Sequence, residues 1–533
     1  MIIKKIFLKD YKILKDFSLE LNKQISVFIG INGSGKSSIL EALALMFSSA
    51  YEQLVTGRKS NLPQFVQGSS VEYLLRYERA KSSSSVSAAF DIDYVPIKLS
   101  FDASGKASIS VHAPGKENEK LVSLFTNKYE TKELLPSRQV IYYSGISEHF
   151  AKIYKSSENY LLKQLTTDPA NTQTGYVSDV EMPMFLFSPT DFGLLFAGLW
   201  AFAYNNRIEP LLYVKLGLQP NPDELITVII NKVEFDSDEY RARMNSVKAD
   251  LGADPDRFLD NPNLFREMTE AIEQERVSNF FGATGRLGIF LRQLRESCLN
   301  PAECYDEQDG IYRLNFSMQN WQALGEEEIQ NPKRIFELLL MLRANGLLKE
   351  VEVKVIKKGM MVDGMNLSEG EKQIVIIAAL NEILGQHNTL FLFDEPDNYL
   401  HPTLQDDLIR NIEENNNDVS EIYQNHYFVT THNASLLNNL NSETGELLII
   451  ADGKLFKHHL SWFGRDANDT LYEIMGSKFR PRWAISEIQE VDELLDGDDM
   501  DKAEAALNEL RKKLSGTDIE IIRLQAKLDF NQE

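Results

Sequence analysis

The chain has 533 residues, of which 43% are hydrophobic and 25% charged, and its formal net charge is -23. This composition is that of a globular protein and excludes global disorder, and the length predicts about three or four domains or subdomains. The acidic balance excludes a general polyanion binder, because binding to a phosphate backbone depends on clusters of Lys and Arg. Any contact with DNA or RNA must therefore be local.

The sequence predicts a cytoplasmic protein with no membrane segment. The first eight residues lack the apolar region of a signal peptide, and the most apolar run, residues 192–204, is shorter than a bilayer span. Cys298 and Cys304 are too few for a disulfide framework and lack the second ligand pair of a zinc site. We expect both cysteines to be incidental.

The phosphate-binding pattern G-x-x-x-x-G-K-[ST] is matched at every fixed position by residues 30–37. Residues 24–29 predict a buried strand before this loop, and residues 38–46 predict a helix after it. We expect the loop amides to cradle the phosphates of ATP, Lys36 to reach the β- and γ-phosphates, and the Ser37 hydroxyl to bind Mg²⁺. The predicted nucleotide-binding residues of the loop are Asn32, Gly33, Ser34, Gly35, Lys36, Ser37 and Ser38.

Alternating segments around the loop predict β-structure. Residues 2–8 and 17–21 predict a hairpin before the loop, residues 90–100 and 107–111 predict antiparallel strands after it, and residues 139–145 predict a buried strand. Residues 151–345 have a mainly helical pattern with no second phosphate loop, and we interpret them as an insertion. Within it, residues 182–206 are densely apolar, which favours packing over a partner-binding surface.

The second half of the chain carries three further patterns in order. Residues 348–357 alternate as a strand, and residues 366–373, NLSEGEKQ, lead into an apolar helix. Ser368 and the Gly370 amide would stand at the helix start, where anions bind, although a capped helix start explains Ser368 equally well. A buried strand then ends in Asp394 and Glu395, two carboxylates that could also merely close the strand.

Another buried strand, residues 427–433, contains His432 near its end. Farther on, residues 447–450 predict a strand that precedes a turn at residues 452–453. The chain then ends in helical patterns at residues 483–495, 501–514 and 518–528, whose amphipathic spacing predicts a packing or partner-docking hairpin.

This ordered set resembles the ABC-type ATPases of the SMC and RecF kind. Residues 366–373 are similar to the ABC signature, and residues 389–397 are similar to the Walker B motif followed by the D-loop. The resemblance implies that Asp394 holds Mg²⁺ through water and that Glu395 orients or deprotonates the attacking water. It also implies that ATP joins two subunits. The residues that would then contact the γ-phosphate or the opposite subunit are Ser368, Gly370, Asp397 and His432.

Two parts of the resemblance leave alternatives open. Tyr11 and Lys12 would lie beside the nucleotide base or ribose, but a solvated turn is equally compatible with these residue types. No unambiguous glutamine follows the strand at residues 139–145, since Gln139 precedes its centre. Ser144 or a water would then take the place of the glutamine that senses the γ-phosphate.

The expected fold class is α/β, an ABC-type ATPase head in which a mixed P-loop sheet joins an antiparallel β lobe, with a mainly helical insertion and a C-terminal helical tail. The expected domains are an N-terminal ATPase lobe (1–150), the insertion (151–345), a C-terminal ATPase lobe (346–460) and the tail (461–533).

Within this class, the compact insertion and residues 394–402 and 463–468 are similar to bacterial anti-phage ATPases of the PtuA type, known from Septu and some retron systems. That resemblance implies an ATPase that forms homodimers or higher homo-oligomers through ATP-sandwiched heads and regulates a separate HNH nuclease, since the chain shows no nuclease motif. The alternatives are a RecF-like DNA repair or recombination ATPase and a nucleotide-gated scaffold with little hydrolysis.

Overall fold

The computed structural model describes most of the chain and forms two compact units, Met1–Arg465 and Asp466–Glu533. None of the helices in the described residues is both long and apolar enough to cross a bilayer. The described residues are 1–30, 33–57, 65–76, 94–111, 128–145, 150–155, 182–204, 206–233, 270, 273–283, 285–329, 333–385, 388–398, 400, 408–410, 412–413, 425–433, 435–451, 453–457, 482–497, 500–514 and 518–532.

Strands and helices alternate along the first unit, and helices form the second. The strands are β1 (Ile2–Tyr11), β2 (Leu14–Glu20), β3 (Ile25–Ile29), β4 (Ser70–Arg76), β5 (Tyr94–Phe101), β6 (Ala107–Val111), β7 (Arg138–Tyr143), β8 (Met184–Leu186), β9 (Leu218–Pro220), β10 (Ile226–Asn231), β11 (Tyr305–Asp306), β12 (Ile311–Phe316), β13 (Leu348–Lys357), β14 (Met360–Asp363), β15 (Thr389–Asp394), β16 (His426–Thr431), β17 (Gly445–Ala451) and β18 (Lys454–Lys457). The helices are α1 (Lys36–Ala50), α2 (Lys128–Glu133), α3 (Phe192–Trp200), α4 (Gly285–Ser297), α5 (Met318–Ile329), α6 (Lys333–Ala344), α7 (Glu369–Leu384), α8 (Ser435–Asn438), α9 (Arg482–Leu495), α10 (Met500–Lys513) and α11 (Ile519–Gln532).

A seven-stranded sheet in the order β18-β17-β3-β16-β15-β7-β8 positions the site. Its strands from β17 to β8 pair in parallel, and β18 pairs antiparallel with β17. Strands β3, β15 and β16 are buried throughout, which explains their continuous apolar sequences, because both faces of a central parallel strand are covered. The register places Asp394 between Thr430 and Tyr143, so the carboxyl ends of these strands meet at one edge.

An antiparallel sheet in the order β2-β1-β4-β5-β6 forms the second layer of β-structure. It contains the predicted hairpin as β1 and β2, and the predicted antiparallel pair as β5 and β6. Residues 90–93 of the predicted strand lie outside the described residues. The α/β fold class is therefore confirmed, with a mixed sheet that carries the phosphate loop and an antiparallel β lobe beside it.

The insertion contains the expected helices α3 to α6, but it also contributes strands that the helical expectation did not include. Strands β10 and β12 pair with each other, and β10 also pairs with β13 in a sheet of order β11-β12-β10-β13-β14, while β9 pairs with the far end of β13. Five successive β-branched residues, 226–230, favour a strand at β10, although so short an apolar run cannot be distinguished from a helix by periodicity.

Two predicted elements of this region are confirmed. Strand β13 has the predicted bounds, and Val351, Val353 and Val355 are buried on one face of it. Every residue of α3 is buried, so residues 192–200 of the apolar run are packing rather than an exposed partner surface.

The second unit is built by helices α9, α10 and α11. Each helix contributes its apolar face to a common core, as its amphipathic sequence predicts. The core residues are Ile488, Val491, Leu495, Ala503, Leu507, Leu510, Ile521, Leu524 and Leu528. This common core supports the packing interpretation of the tail over the partner-docking interpretation.

Candidate functional site

The phosphate loop connects the end of β3 to the start of α1, as predicted. Gly30, Gly33 and Gly35 have φ angles of 156°, 79° and 110°, in a region that side chains rarely enter. A Cβ atom on Gly30 would lie 2.1 Å from the Ile450 carbonyl oxygen, so β17 approaches the loop backbone closely. The backbone N–H of Gly453 donates to the Ser34 carbonyl (3.1 Å) and holds the loop from the same side. The predicted contact of Asn32 lies outside the described residues.

Lys36 is the first residue of α1, and its side chain turns back into the loop. Its Nζ donates to the Gly30 carbonyl at 2.8 Å and lies 3.1 Å from His432 Nε2. Burial lowers the pKa of Lys36, while the carboxylates of Glu395 and Asp394 act in the opposite direction. The ammonium therefore lies in a partly buried site with two carboxylates near it.

Ser37 and Asp394, which the sequence predicts as metal ligands, lie in direct hydrogen-bond contact. The Ser37 hydroxyl donates to Asp394 Oδ1 at 2.7 Å, and the Thr430 hydroxyl donates to the same oxygen at 2.7 Å. Burial raises the pKa of Asp394, although both hydroxyl groups favour the charged form. Ser38 follows on α1 and is half-buried.

Glu395 follows β15 with a φ angle of 49°, an uncommon value for a residue other than glycine. Its N–H donates to the carbonyl oxygen and the hydroxyl of Thr430, at 3.0 and 3.1 Å, which fixes this conformation. Its side chain lies between two partners, with Oε1 2.9 Å from His432 Nε2 and Oε2 accepting from Asn398 Nδ2 at 2.7 Å. The structure therefore brings Lys36, Glu395 and His432 into one chain of contacts.

These residues fit a nucleotide with Mg²⁺ on the chemistry of the site itself. The Ser34 hydroxyl is buried and has no hydrogen-bond partner within the described residues, so it can take one from a ligand. A hydroxyl and a carboxylate, as provided by Ser37 and Asp394, are oxygen ligands of the kind that Mg²⁺ prefers. The ammonium of Lys36 and the start of α1 would face the phosphates.

Asp397 is buried, and its Oδ2 accepts from the Thr431 hydroxyl at 2.9 Å. Burial raises the pKa of Asp397, and the bond from Thr431 opposes that shift. The Asp397 carboxylate thus bonds to Thr431 of its own polypeptide, and its contact with an opposite subunit stays a prediction.

Ser368 caps α7, and Glu371 completes a capping box with it. Ser368 Oγ accepts from the Glu371 backbone N–H at 3.4 Å, and the Ser368 backbone N–H donates to Glu371 Oε2 at 3.1 Å. The capping interpretation is thus confirmed for this chain. Ser368 is exposed and Gly370 half-buried at the helix start, so the predicted anion site remains open to a ligand from outside.

Gln373 links three parts of the site, a role that the sequence did not indicate. Its Oε1 accepts from the Tyr142 hydroxyl at 2.8 Å, and its Nε2 donates to the Pro396 carbonyl at 2.7 Å. It therefore joins α7 both to β7 and to the loop after Glu395.

Gln139 is buried within β7, whereas the Ser144 hydroxyl accepts from Asn398 at 3.1 Å beside the site. Ser144 thus lies next to Asn398, the partner of Glu395, and its role in place of a glutamine stays a prediction.

The turn after β1 is fixed to α1 by a buried carboxylate. Glu41 Oε2 accepts from the Tyr11 hydroxyl at 3.2 Å and pairs with the Lys12 ammonium. Tyr11 is buried, and burial raises its pKa, so its side chain packs against α1 rather than standing in solvent. Lys12 is partly exposed and stays the predicted candidate for a nucleotide contact.

Two family models of ATPase domains match the chain. Residues 1–180 match the "AAA ATPase domain", and residues 326–438 match the "AAA domain, putative AbiEii toxin, Type IV TA system". The first range contains the phosphate loop, and the second contains the start of α7, the two carboxylates at the end of β15, and His432. Both sides of the site therefore have the sequence of ATPase domains.

Two curated proteins show sequence similarity to the chain. The DNA replication and repair protein RecF of Halothermothrix orenii (strain H 168 / OCM 544 / DSM 9562) is 30% identical over 176 residues, which cover 31% of this chain and 45% of RecF. The "Retron Ec83 probable ATPase" of Escherichia coli is 22% identical over 480 residues, which cover 85% of this chain and 72% of that protein. The chain thus spans less than half of the RecF protein it matches.

Solved structures of SMC and RecF proteins also match. The crystal structure of the SmcHead bound to the C-winged helix domain of ScpA is 13% identical, with a TM-score of 0.34 and coverage of 86% of this chain and 98% of that chain. The structure of the recombination mediator protein RecF-ATPrS in the RecFOR pathway is 15% identical, with a TM-score of 0.30 and coverage of 85% and 97%.

Proposed function

We propose that the chain binds ATP with Mg²⁺ and hydrolyses it to ADP and phosphate. One observation carries this proposal: Lys36 Nζ, His432 Nε2 and Glu395 Oε1 form a continuous chain of contacts of 3.1 and 2.9 Å. The residues come from distant parts of the sequence, and the parallel sheet brings them to one edge. A cation for phosphate oxygens next to a carboxylate base is the arrangement that phosphoryl transfer to water requires.

Glu395 is the proposed general base, because its carboxylate lies between the His432 imidazole and the Asn398 amide. Two partners restrict the orientation of Glu395, so it can accept a proton from a water held at the γ-phosphate. Mg²⁺, bound by Ser37 and Asp394, would neutralise the charge on the phosphate oxygens. Lys36 binds the β- and γ-phosphates once its contact with His432 is released.

We further propose that two chains associate around ATP, with higher oligomers built from such pairs. The exposed start of α7 supports this, since Ser368 and the Gly370 amide stand open at a helix N-terminus where a γ-phosphate could bind. The ligand would come from the phosphate loop of the second copy, and Asp397 would lie near the contact.

The cellular role that we propose is regulation of a partner nuclease of the HNH type in anti-phage defence, as in Septu and retron systems. The similarity to a retron ATPase over 480 residues supports this role. It is tested by co-expressing the chain with the product of the neighbouring gene and measuring co-purification and DNA cleavage. Recruitment of a nuclease would support the role.

A RecF-like role in DNA repair is the second candidate, because the RecF match reaches 30% identity. The test is DNA binding by the isolated chain at increasing salt, since contacts with phosphates make affinity fall with salt concentration. ATP-dependent DNA binding without any recruited nuclease would favour repair.

The ATPase proposal itself is tested by ATP turnover and mass photometry of the wild type and the Lys36→Ala variant. We expect turnover and ATP-dependent dimers in the wild type and neither in the variant, because the variant lacks the ammonium that binds the phosphates. Turnover that is equal in both proteins would contradict the site. ATP-dependent dimers without turnover in the wild type would instead indicate a nucleotide-gated scaffold.

A further inference from the structure

A cavity of about 750 Å³ opens next to the proposed ATP site. The carboxyl end of β7 forms one wall with Tyr143 and Ser144, and the first half of α7 forms another with Lys372 and Gln373. The start of α3 and the helical segment 150–155 close the remaining sides. The volume lies in the range of about 300–1,000 Å³ that is typical of small-molecule sites.

The walls of this cavity are rich in aromatic rings. Tyr142 and Phe187 stack with centroids 5.4 Å apart and an interplanar angle of 24°, and Tyr143 lies 5.4 Å from Phe150. Tyr154 completes this lining. Faces of aromatic side chains are surfaces on which a planar ring such as a nucleobase stacks.

The charged groups of the cavity are mostly cationic. Lys155, Arg343 and Lys372 line it together with the carboxylate of Glu369, in a chain whose net charge is -23. This local excess of positive charge in a concave site favours an anion.

Two of these cations already form ion pairs but can still donate hydrogen bonds to a ligand. Arg343 lies 2.7 Å from Asp191 Oδ1 and 5.8 Å from the Tyr154 ring centroid, and a guanidinium has five N–H donors to share. Lys372 pairs with Glu369 at 2.9 Å, but the Glu369 side chain is 70% exposed, so the pair is weak and a phosphate can replace the carboxylate.

We propose that this cavity is a second nucleotide site, with the base on the aromatic walls and the phosphate among Lys155, Arg343 and Lys372. An apolar peptide would offer nothing to the three cations that line the cavity, so the lining favours a nucleotide. The same chemistry is offered by a free mononucleotide and by the terminal nucleotide of a nucleic-acid strand. The lining does not include Lys36, Ser37 or Asp394, so its cations differ from the groups that would bind the phosphates and Mg²⁺ in the ATP site, while Ser144 and Glu369 border both sites.

The test uses the full chain carrying Lys36→Ala, which removes the main phosphate contact of the ATP site. Binding of AMP, GMP, CMP, UMP and a short 5′-phosphorylated oligodeoxythymidine is measured by isothermal titration calorimetry. The pair Lys155→Glu and Lys372→Glu is then introduced, and Lys349→Glu on β13 is the matched charge change outside the cavity lining. Thermal melting verifies that all variants are folded.

We expect saturable binding in the Lys36→Ala protein. The two charge reversals should weaken this binding at least about tenfold, because charge-assisted bonds to the phosphate are lost. Lys349→Glu should leave the affinity unchanged. Preference for a mononucleotide or for the oligonucleotide identifies the source, and either supports the proposal. No saturable binding of any probe, or equal affinity in all variants, overturns it. Since the Lys36→Ala background has no functional ATP site, failure here is distinct from failure of the ATPase proposal.

Discussion

His432 contacts Glu395 through the same nitrogen that faces Lys36: Nε2 is 2.9 Å from Glu395 Oε1 and 3.1 Å from Lys36 Nζ. An imidazole nitrogen either carries a proton and donates or accepts through its lone pair, so it cannot serve both neighbours at once. When phosphates draw Lys36 away, Nε2 is released to donate to Glu395 or to the γ-phosphate. Nucleotide binding would thereby set the state of the base.

The His432→Ala variant tests this link between Lys36 and Glu395. We expect kcat for ATP hydrolysis to fall by about tenfold to a hundredfold, toward the lower end of general acid–base effects, because Glu395 loses one of two orienting partners. KM should change little, since Lys36 and Ser37 are intact. The control is Lys349→Ala, because Lys349 is exposed on β13 and is not one of the site residues. An unaltered kcat in His432→Ala would refute the link.

The contact made by Gln373 predicts a stability effect on β7. Tyr142→Phe removes the hydroxyl that donates to Gln373 Oε1 and leaves this buried oxygen without that donor. We expect the free energy of unfolding to fall by about 1–3 kcal/mol in chemical denaturation. The control is Tyr213→Phe, which should cost less, because within the described part of the chain its hydroxyl donates to the weak acceptor Met318 Sδ at 4.0 Å. Equal losses in the two variants would argue against the Gln373 connection.

Gly30 and Gly217 form a matched pair for backbone crowding at the phosphate loop. Both have positive φ angles, but a Cβ on Gly30 would lie 2.1 Å from the Ile450 carbonyl oxygen, whereas one on Gly217 would meet nothing within 4 Å. We expect Gly217→Ala to cost about 1–2 kcal/mol of stability from φ strain alone. Gly30→Ala should cost clearly more and should also abolish ATP binding. Thermal melts that rank the two variants in the opposite order would show that β17 is not packed as described.

The phosphate loop and the two carboxylates were predictable because each motif has an invariant local sequence. Thr430, Asn398 and Gln373 were not, since a hydroxyl or amide gains its role only from the strand register and helix position that bring it to the site. Likewise, β10 and β12 are short strands that pair across 79 intervening residues, and no local pattern encodes that pairing. The capping box at Ser368 was visible in sequence, yet its Glu371 partner was not assigned.

His426 predicts a loss of stability in acid. It is fully buried, with Nδ1 accepting from the Ile3 N–H at 2.9 Å and Nε2 3.1 Å from Ser26 Oγ, and burial lowers its pKa well below the usual value. The folded state thus resists a proton that the unfolded chain binds below its pKa of about 6.5. The contribution of His426 is fully present above that pH and decreases as the pH falls below it, down to the folded pKa.

Chemical denaturation at pH 7.5 and pH 5.5 measures this effect. We expect the free energy of unfolding of the wild type to fall by about 1 kcal/mol from this group between the two values. In His426→Gln that share of the pH dependence should disappear, although the variant is less stable at both pH values. His432→Gln, at a partly exposed histidine, serves as the control. A pH dependence that is the same in His426→Gln as in the wild type would be inconsistent with a neutral buried imidazole.

ATP turnover and nucleotide retention in Glu395→Gln test the central claim most directly. The substitution keeps the size of the side chain and its capacity to bond Asn398, but removes the carboxylate that would accept the proton. We expect turnover to fall by about 100-fold or more while ATP stays bound and dimers accumulate. Turnover close to that of the wild type, with ATP bound equally well, would show that Glu395 is not the base and that the proposed mechanism is wrong.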